Sequence, residues 1–315
     1  MRSMKCVCIF NYGGPEVLKY TDAPRPRCGP GEVLIQVHAA GVNPIDWKIR
    51  EGHLKGMLAH ELPLILGWDV SGVVVGTGTG TSRLREGDEV FSRPDILRDG
   101  AYADFVVVKE TEVALKPRTI DHIHAASLPL VGLAAWQSLV EAAKLTSGQR
   151  VLVHAAAGGV GSIAVQLAKA RGAHVIGTAS ARNHDYLQQL GVDEIIDYEA
   201  TRFEDAVQSV DVVLDTIGGD TQERSWKTLK PGGMLVSLAS QPSAETAAKL
   251  GLRQAYVFVQ PSAAQLGELA KLVDTGKLKT DVETVLPLAE AKQAQILSQG
   301  GHTRGKIVLK IDATL

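Results

Sequence analysis

The sequence predicts an α/β chain in two parts, an N-terminal run of short strands and a doubly wound parallel sheet with helices on both faces. Three observations predict it. From Lys5 to about Lys116, short apolar runs alternate with glycine- and proline-rich turns. Around His122 to Leu139 the texture becomes alanine-rich and helical, and from Val151 onward strands alternate with helices at a regular spacing.

In the first part the candidate strands are Cys6–Phe10, Val33–His38, Val70–Val75, Glu89–Phe91, Tyr102–Val108 and Val113–Leu115. Gly13-Gly14-Pro15, Gly29-Pro30-Gly31, the Gly76–Thr81 run and Glu86-Gly87-Asp88 supply the turn chemistry between them. Such spacing indicates a sandwich or a partly open barrel. Asn43-Pro44-Ile45-Asp46-Trp47-Lys48 interrupts it with a short helix, because proline in a first helical turn is preset in φ and lacks only an N–H that has no partner there. Pro129 starts the helix that marks the boundary. Val151–His154, His174–Thr178, Glu194–Asp197, Val210–Asp215, Met234–Ala239 and Tyr256–Val259 then read as six parallel strands. A helix over Ala264–Asp274, a strand Val282–Leu286, a helix Leu288–Gln299 and an alternating strand Lys306–Ile311 follow. The last strand comes after a Gly300-Gly301 break, so the C-terminus is expected to return to the first part. The predicted divisions are 1–125, 126–262 and 263–315, the third completing the first.

The stretch from Val151 to Lys169 reads as strand, tight turn and helix, with Ile163, Leu167 and Ala170 on one helical face. Its pattern Ala156-x-Gly158-x-x-Gly161 is the dinucleotide fingerprint with alanine in the first glycine position. Ala157, Gly158, Gly159, Val160 and Gly161 form the candidate phosphate cradle. Gly158 lets backbone approach a pyrophosphate, Gly161 lets the helix lie close to the sheet, and the free N–H groups of the helix start favour phosphate charge. NAD-selective versions carry an acidic residue about 20 residues further on, to hold the ribose 2′-hydroxyl. Here the second strand ends Gly177-Thr-Ala-Ser180-Ala-Arg182-Asn183. Ser180 can donate to a 2′-phosphate and Arg182 can supply its countercharge, which selects NADPH. The competing reading has Arg182 solvated and Asn183 capping the next helix. Ile217, in Asp215-Thr-Ile-Gly218, and Leu238 and Ala239, after Ser237, follow strand ends and should line the adenosine and nicotinamide sides.

Composition excludes other classes. With 33 basic against 35 acidic residues the formal charge is −2, so no basic footprint for nucleic acid or an anionic membrane is present. No apolar run is long enough to span a bilayer, and Met1-Arg-Ser-Met-Lys5 leads directly into a strand, so a cytoplasmic location and a small-molecule substrate are expected. The only cysteines are Cys6, Cys8 and Cys28; the first two share a strand face and read as buried reduced thiols.

Six segments carry a resemblance when taken in order: Gly29-Pro-Gly-Glu-Val-Leu-Ile35, Ala40-Gly-Val-Asn43, Gly67-Trp-Asp69-x-Ser71-Gly72, Gly87-Asp-Glu-Val90, Ala155-Ala-Ala-Gly-Gly-Val-Gly161 and Gly305-Lys-Ile-Val-Leu309. With them the chain resembles the medium-chain dehydrogenase/reductase superfamily, and within it the zinc-free, zeta-crystallin-like quinone oxidoreductase branch. The resemblance implies a GroES-like β-barrel catalytic domain, a Rossmann domain, a cofactor cleft between them and a homodimer. It implies that Tyr198, in Ile196-Asp197-Tyr198, completes the 2′-phosphate pocket, and that Arg304 reaches the cofactor unless it serves only the surface.

Zinc-dependent relatives use a cysteine in the segment that here reads Gly41-Val-Asn43, and a His-Glu pair in the segment that here reads Gly67-Trp68-Asp69. Asn43 and Trp68 are unsuitable ligands, and no cysteine cluster exists past Cys28, so no metal is expected. By resemblance Asn43 faces the nicotinamide, donating to the substrate oxygen or orienting the ring; the plain reading is a turn residue. Asp46 is the second catalytic candidate, with an exposed first-turn carboxylate as the plainer reading. Trp47 and Trp68 are candidate walls of a substrate pocket, against a simply buried Trp68 beside a hydrogen-bonded Asp69. His154 reads as a packed histidine rather than a general base. Without a Lewis acid, alcohol oxidation is difficult, whereas a quinone or a conjugated enone already accepts hydride. The expectation is an NADPH-dependent reductase of quinones or α,β-unsaturated carbonyl compounds. The alternatives are an enoyl reductase of lipid or polyketide metabolism and a catalytically idle NADPH-binding protein.

Overall fold

A computed structural model describes residues 3–312. The chain forms two compact units. One runs to Leu130 and takes in Gln260–Gly276 and the chain from Thr280 onward; the other is Val131–Val259 with Lys277–Lys279. The divides therefore fall at 130/131 and 259/260, where the sequence places them at 125/126 and 262/263.

In the first unit the N-terminal strands are β1 (Ser3–Ile9), β2 (Leu18–Pro24), β3 (Glu32–Val42), β4 (Leu64–Ile65), β5 (Val70–Thr77), β6 (Glu89–Ser92), β7 (Phe105–Lys109) and β8 (Val113–Leu115). Strands β2, β1 and β4 make a small antiparallel sheet. Cys6 and Cys8 lie side by side on β1 as free, buried thiols, and burial pushes Cys6 up to about 12. The sequence misses β2 because its residues are mostly exposed and it ends in proline, as an edge strand does. The expected strand Tyr102–Val108 shrinks to β7, since Ala101–Asp104 are buried without a ladder of their own beyond one bridge from Ala103 to Cys6.

The second unit holds β9 (Arg150–Val153), β10 (His174–Ala179), β11 (Glu194–Asp197), β12 (Val210–Asp215), β13 (Leu229–Ser237) and β14 (Arg253–Tyr256). They pair in parallel in the order β11-β10-β9-β12-β13-β14, a doubly wound sheet. Every residue of β12 is buried, as expected of a central parallel strand covered on both faces. Leu152, Ile176, Val213 and Leu235 pack with Phe203 and Trp226 into the core. The last strand lies at Arg253–Tyr256 instead of Tyr256–Val259, because a polar edge strand lacks the apolar run that marks a central one.

After helix Ala263–Asp274 come β15 (Val282–Pro287), helix Ala291–Gln299 and β16 (Lys306–Lys310). Strand β16 pairs antiparallel with β3, Val308 opposite Gly41, and parallel with β15. The chain thus returns to the first unit, as the sequence predicts, and completes a seven-stranded sheet: β15-β16-β3-β5-β6-β8, with β7 also on β3.

Candidate active site

In the second unit the strand ends are in step: Val153 lies beside Gly177 and Leu214, Asp215 beside Ser237, and Ala179 beside Asp197. One sheet edge therefore carries the segments after β9, β10, β11, β12 and β13. After β9 the backbone turns at Ala155, a non-glycine residue at φ 48°, in the left-handed region. Gly158 N donates to Ala155 O at 2.9 Å, and the helix Gly159–Ala170 begins. A Cβ on Gly161 would stand 2.2 Å from Ala155 O and 2.7 Å from Ala156 Cα, so only glycine lets this helix approach its strand. A Cβ on Gly158 would meet only Ala155 O, at 3.3 Å. The turn made by Ala157, Gly158, Gly159, Val160 and Gly161 thus offers bare backbone at a helix start, and it fits the pyrophosphate of a dinucleotide.

The other residues chosen from sequence lie along the same edge. Ser180, directly after β10, is nearly buried, and its Oγ accepts from Asn183 Nδ2 at 3.3 Å. The Asn183 side chain makes no helix cap, contrary to the plainer reading of that residue. Arg182 is exposed in the short turn Ala181–Asn183, Tyr198 is 54% exposed just after β11, and Ile217 is 54% exposed just after β12. Asp215 braces the Ile217 segment by accepting from the N–H groups of Ile217 and Gly218 at 3.0 and 2.8 Å. It also accepts from the Ser237 hydroxyl at 2.7 Å, and Ser237 Oγ accepts from Ala239 N, beside Leu238. His154 is buried. Its Nε2 lies 2.9 Å from Ser225 Oγ, whose own proton goes to Thr221 O, so Nε2 carries the hydrogen. Burial holds this imidazole down at about 4, which suits a packed residue and not a general base at neutral pH.

In the first unit Asn43 precedes helix Pro44–Arg50, and two corrections to the sequence reading arise there. Asp46 is fully buried, not exposed: its Oδ2 accepts from Asn43 N and from the Tyr102 hydroxyl, both at 2.8 Å. Burial pushes its carboxyl up to about 7, against those hydrogen bonds and the Lys306 charge. Trp68 is wholly buried, its Nε1 donating to Arg98 O at 3.0 Å, so it is a core residue rather than an open pocket wall. Trp47 is half-buried and stands edge-on to His53 with ring centroids 6.0 Å apart.

Asn43 is 1% exposed, and its amide is held at both ends. Nδ2 donates to Asp69 Oδ2 at 2.8 Å, while Oδ1 accepts from Lys306 Nζ. Lys306 also donates to Val42 O at 2.8 Å and stands 3.5 Å from Asp69 Oδ2, and the other Asp69 oxygen accepts from Leu130 N at 2.7 Å. Burial pushes Asp69 up and Lys306 down, and each charge counters the shift of the other. Lys306, Tyr102 and the buried Arg93 belong to this cluster and went unread in the sequence; a lysine opening a strand looks like a solvated end, and only the fold turns it inward. Arg304 is in the same unit, where its Nε donates to Asp281 at 3.1 Å. Among the described residues no three His, Cys, Asp or Glu side chains converge so as to hold a metal ion.

A doubly wound sheet with a glycine turn after its first strand, carried on one chain with an antiparallel β unit, defines a dinucleotide-dependent dehydrogenase or reductase. The family described as alcohol dehydrogenase GroES-like domain matches residues 29–118, and that described as zinc-binding dehydrogenase matches residues 190–309. The mitochondrial NAD(P)H oxidoreductase RTN4IP1 of Danio rerio is 34% identical over 96% of this chain and 90% of its own. The chloroplastic NADPH-dependent alkenal/one oxidoreductase of Arabidopsis thaliana is 35% identical over 98% of this chain and 80% of its own. The structure of the quinone oxidoreductase from Coxiella burnetii superposes with a TM-score of 0.91 at 37% identity, covering 98% of this chain and 99% of that one. The chain belongs to the medium-chain dehydrogenase/reductase superfamily, in its quinone oxidoreductase-like branch. It is an NAD(P)H-dependent oxidoreductase of a small-molecule substrate, built from a GroES-like domain and a Rossmann domain. Among the described residues no helix is long and apolar enough to cross a membrane.

Proposed function

We propose that the protein is an NADPH-dependent reductase of quinones or α,β-unsaturated carbonyl compounds that works without a metal ion. The observation that carries this reading is the cluster at Asn43, Trp68 and Asp69. It presents an amide, a buried indole and a carboxylate already beside the Lys306 ammonium, where a catalytic zinc needs about three thiolate, imidazole or carboxylate donors. The residues do not fit zinc. With no Lewis acid to polarise an alcohol, the acceptor must itself be electrophilic, as quinones and conjugated enones are. The names of relatives, a quinone oxidoreductase and an alkenal/one oxidoreductase, support the same substrate class.

When bound, NADPH supplies the hydride. The glycine turn would hold its pyrophosphate and Ile217, Leu238 and Ala239 its flanks. Ser180 and Arg182, after β10, and Tyr198, after β11, would take the 2′-phosphate; the β10 end carries no acidic residue to prefer a free ribose hydroxyl. Asn43 retains one N–H beyond the one given to Asp69, and we assign it to the acceptor oxygen, where negative charge develops. Asp46 would act behind it by holding the Asn43 backbone. The reading includes a homodimer, for which the unpaired edge of β14 leaves a strand available.

The test is oxidation of NADPH and NADH by metal-stripped protein with 1,4-benzoquinone, 9,10-phenanthrenequinone and a simple enone. Turnover selective for NADPH and unaffected by chelation is expected; no oxidation with any acceptor would refute the reading. Arg182→Ala should weaken NADPH roughly 10- to 150-fold, as loss of a hydrogen bond to a charged group does, and leave NADH nearly unchanged. Equal losses for both cofactors would remove Arg182 from the pocket.

A further inference from the structure

The amide of an asparagine is nearly symmetric in shape, so its partners decide which end is oxygen and which is nitrogen. At Asn43 the two partners are of opposite kind. A protonated lysine only donates, and an ionised carboxylate only accepts. Lys306 Nζ lies on Oδ1 and Asp69 Oδ2 on Nδ2, so both partners favour the same orientation and the reverse one would lose both contacts. The ammonium is itself saturated: its three hydrogens face Val42 O, Asn43 Oδ1 and Asp69 Oδ2. Asp69 is anchored independently by Leu130 N at 2.7 Å, and its backbone carbonyl accepts from Gly41 N at 3.2 Å. Lys306 reaches this point from the far end of the chain, 263 positions from Asn43, at 6% exposure.

We propose that Lys306 is a positioning residue: as a tethered cation it fixes, together with Asp69, the orientation of the Asn43 amide, and it occupies with an ammonium the place where a catalytic metal would otherwise supply positive charge. This deepens the reading above and rests on it for the role of Asn43. Removing the ammonium leaves Asp69 without its countercharge and favours its protonated form. A carboxylic acid can donate to an amide oxygen as well as accept from its N–H, so Asp69 alone no longer fixes which end of the Asn43 amide faces it.

The test is a double-mutant cycle between Asn43→Ala and Lys306→Met, which keeps the aliphatic stem and removes the charge. With a quinone that wild type reduces, Lys306→Met should lower kcat about 10- to 100-fold while the Kd for NADPH, read from nucleotide fluorescence, stays within twofold. In the Asn43→Ala background the same substitution should cost nothing further. Full additivity of the two losses, or an unchanged kcat in Lys306→Met, overturns the proposal. If the methionine variant does not fold, Lys306→Ala assayed with methylammonium replaces it; recovery of kcat with the amine and not with zinc is expected, and recovery with zinc alone overturns it. Should wild type reduce no quinone or enone, the functional reading fails while this one is still decided. The side-chain amide signals of Asn43 in protein labelled with [15N]asparagine should shift in Lys306→Met and remain unchanged in Lys310→Met, and an unshifted pair in the first variant overturns it.

Discussion

The Tyr102 hydroxyl donates to Asp46 Oδ2 at 2.8 Å, and both side chains are wholly buried within the first unit. This contact is one of two that keep a carboxyl group inside the fold at the start of helix Pro44–Arg50, and neither compensates its removal from water. The carboxyl is held at about 7 in the folded protein, against an ordinary value near 3.9 in the unfolded chain. Because the folded state binds this proton more tightly, stability is greatest below about pH 4 and is lost as pH rises toward 7. The loss is at most on the order of 4 kcal/mol. Asp46→Asn keeps an acceptor for Asn43 N and Tyr102 and carries no charge. Urea denaturation between pH 4 and 8 should show wild type losing stability relative to the variant up to pH 7 and running parallel above it. Parallel curves throughout would show that Asp46 ionises in the fold as it does in water.

His154 makes the opposite prediction in the other unit. Its imidazole is held down at about 4 by burial, below the unfolded value near 6.5. Its stabilisation is therefore complete above about pH 6.5 and is lost as pH falls toward 4, by roughly 3 kcal/mol. The Asp46 and His154 windows overlap with opposite slopes, so the two contributions largely cancel in wild type. Each single variant should uncover the other: His154→Gln should become more stable toward acid relative to wild type, and Asp46→Asn less stable. Slopes of the same sign in the two difference curves would contradict one of the assignments.

These two groups also mark what could be read from the sequence. The parallel strands β11 and β12 were legible to the residue because the branched pairs Ile195-Ile196 and Val212-Val213 sit in short segments bounded by turns. The glycine turn was legible because its spacing encodes a local backbone requirement, and the segments after β10, β11, β12 and β13 followed from it as strand ends. The buried cluster around Asn43 was not legible. Asp69 and Lys306 are separated by 237 positions, and nothing local distinguishes a lysine that opens a strand at the surface from one turned inward. For the same reason a solvated first-turn carboxylate was the plainer reading of Asp46, and Trp68 stood open between a pocket wall and a buried residue, since Tyr102 and Arg98, which satisfy them, lie 56 and 30 positions away. Local pattern fixes backbone, whereas buried charge is decided by partners brought from elsewhere.

The two fingerprint glycines should fail in different ways when a methyl group is added. At Gly161 the new Cβ would stand 2.2 Å from Ala155 O and 2.7 Å from Ala156 Cα, both backbone atoms that cannot rotate away. Gly161→Ala must push the helix Gly159–Ala170 off its strand, at a cost of roughly 1–3 kcal/mol for overpacking, and should lower the melting temperature. At Gly158 the backbone lies at φ −78° and ψ 177°, open to any residue, and the nearest atom to a Cβ is Ala155 O at 3.3 Å. Gly158→Ala should therefore melt within a few degrees of wild type, since a shift of a few tenths of an ångström relieves the contact. Its loss should appear in NADPH affinity, about tenfold or more, because the methyl group fills space that bare backbone leaves for the pyrophosphate. Thermal melts with nucleotide fluorescence titrations separate the two. A Gly158→Ala protein that binds NADPH as wild type does would mean that this turn positions the helix but does not receive the phosphate.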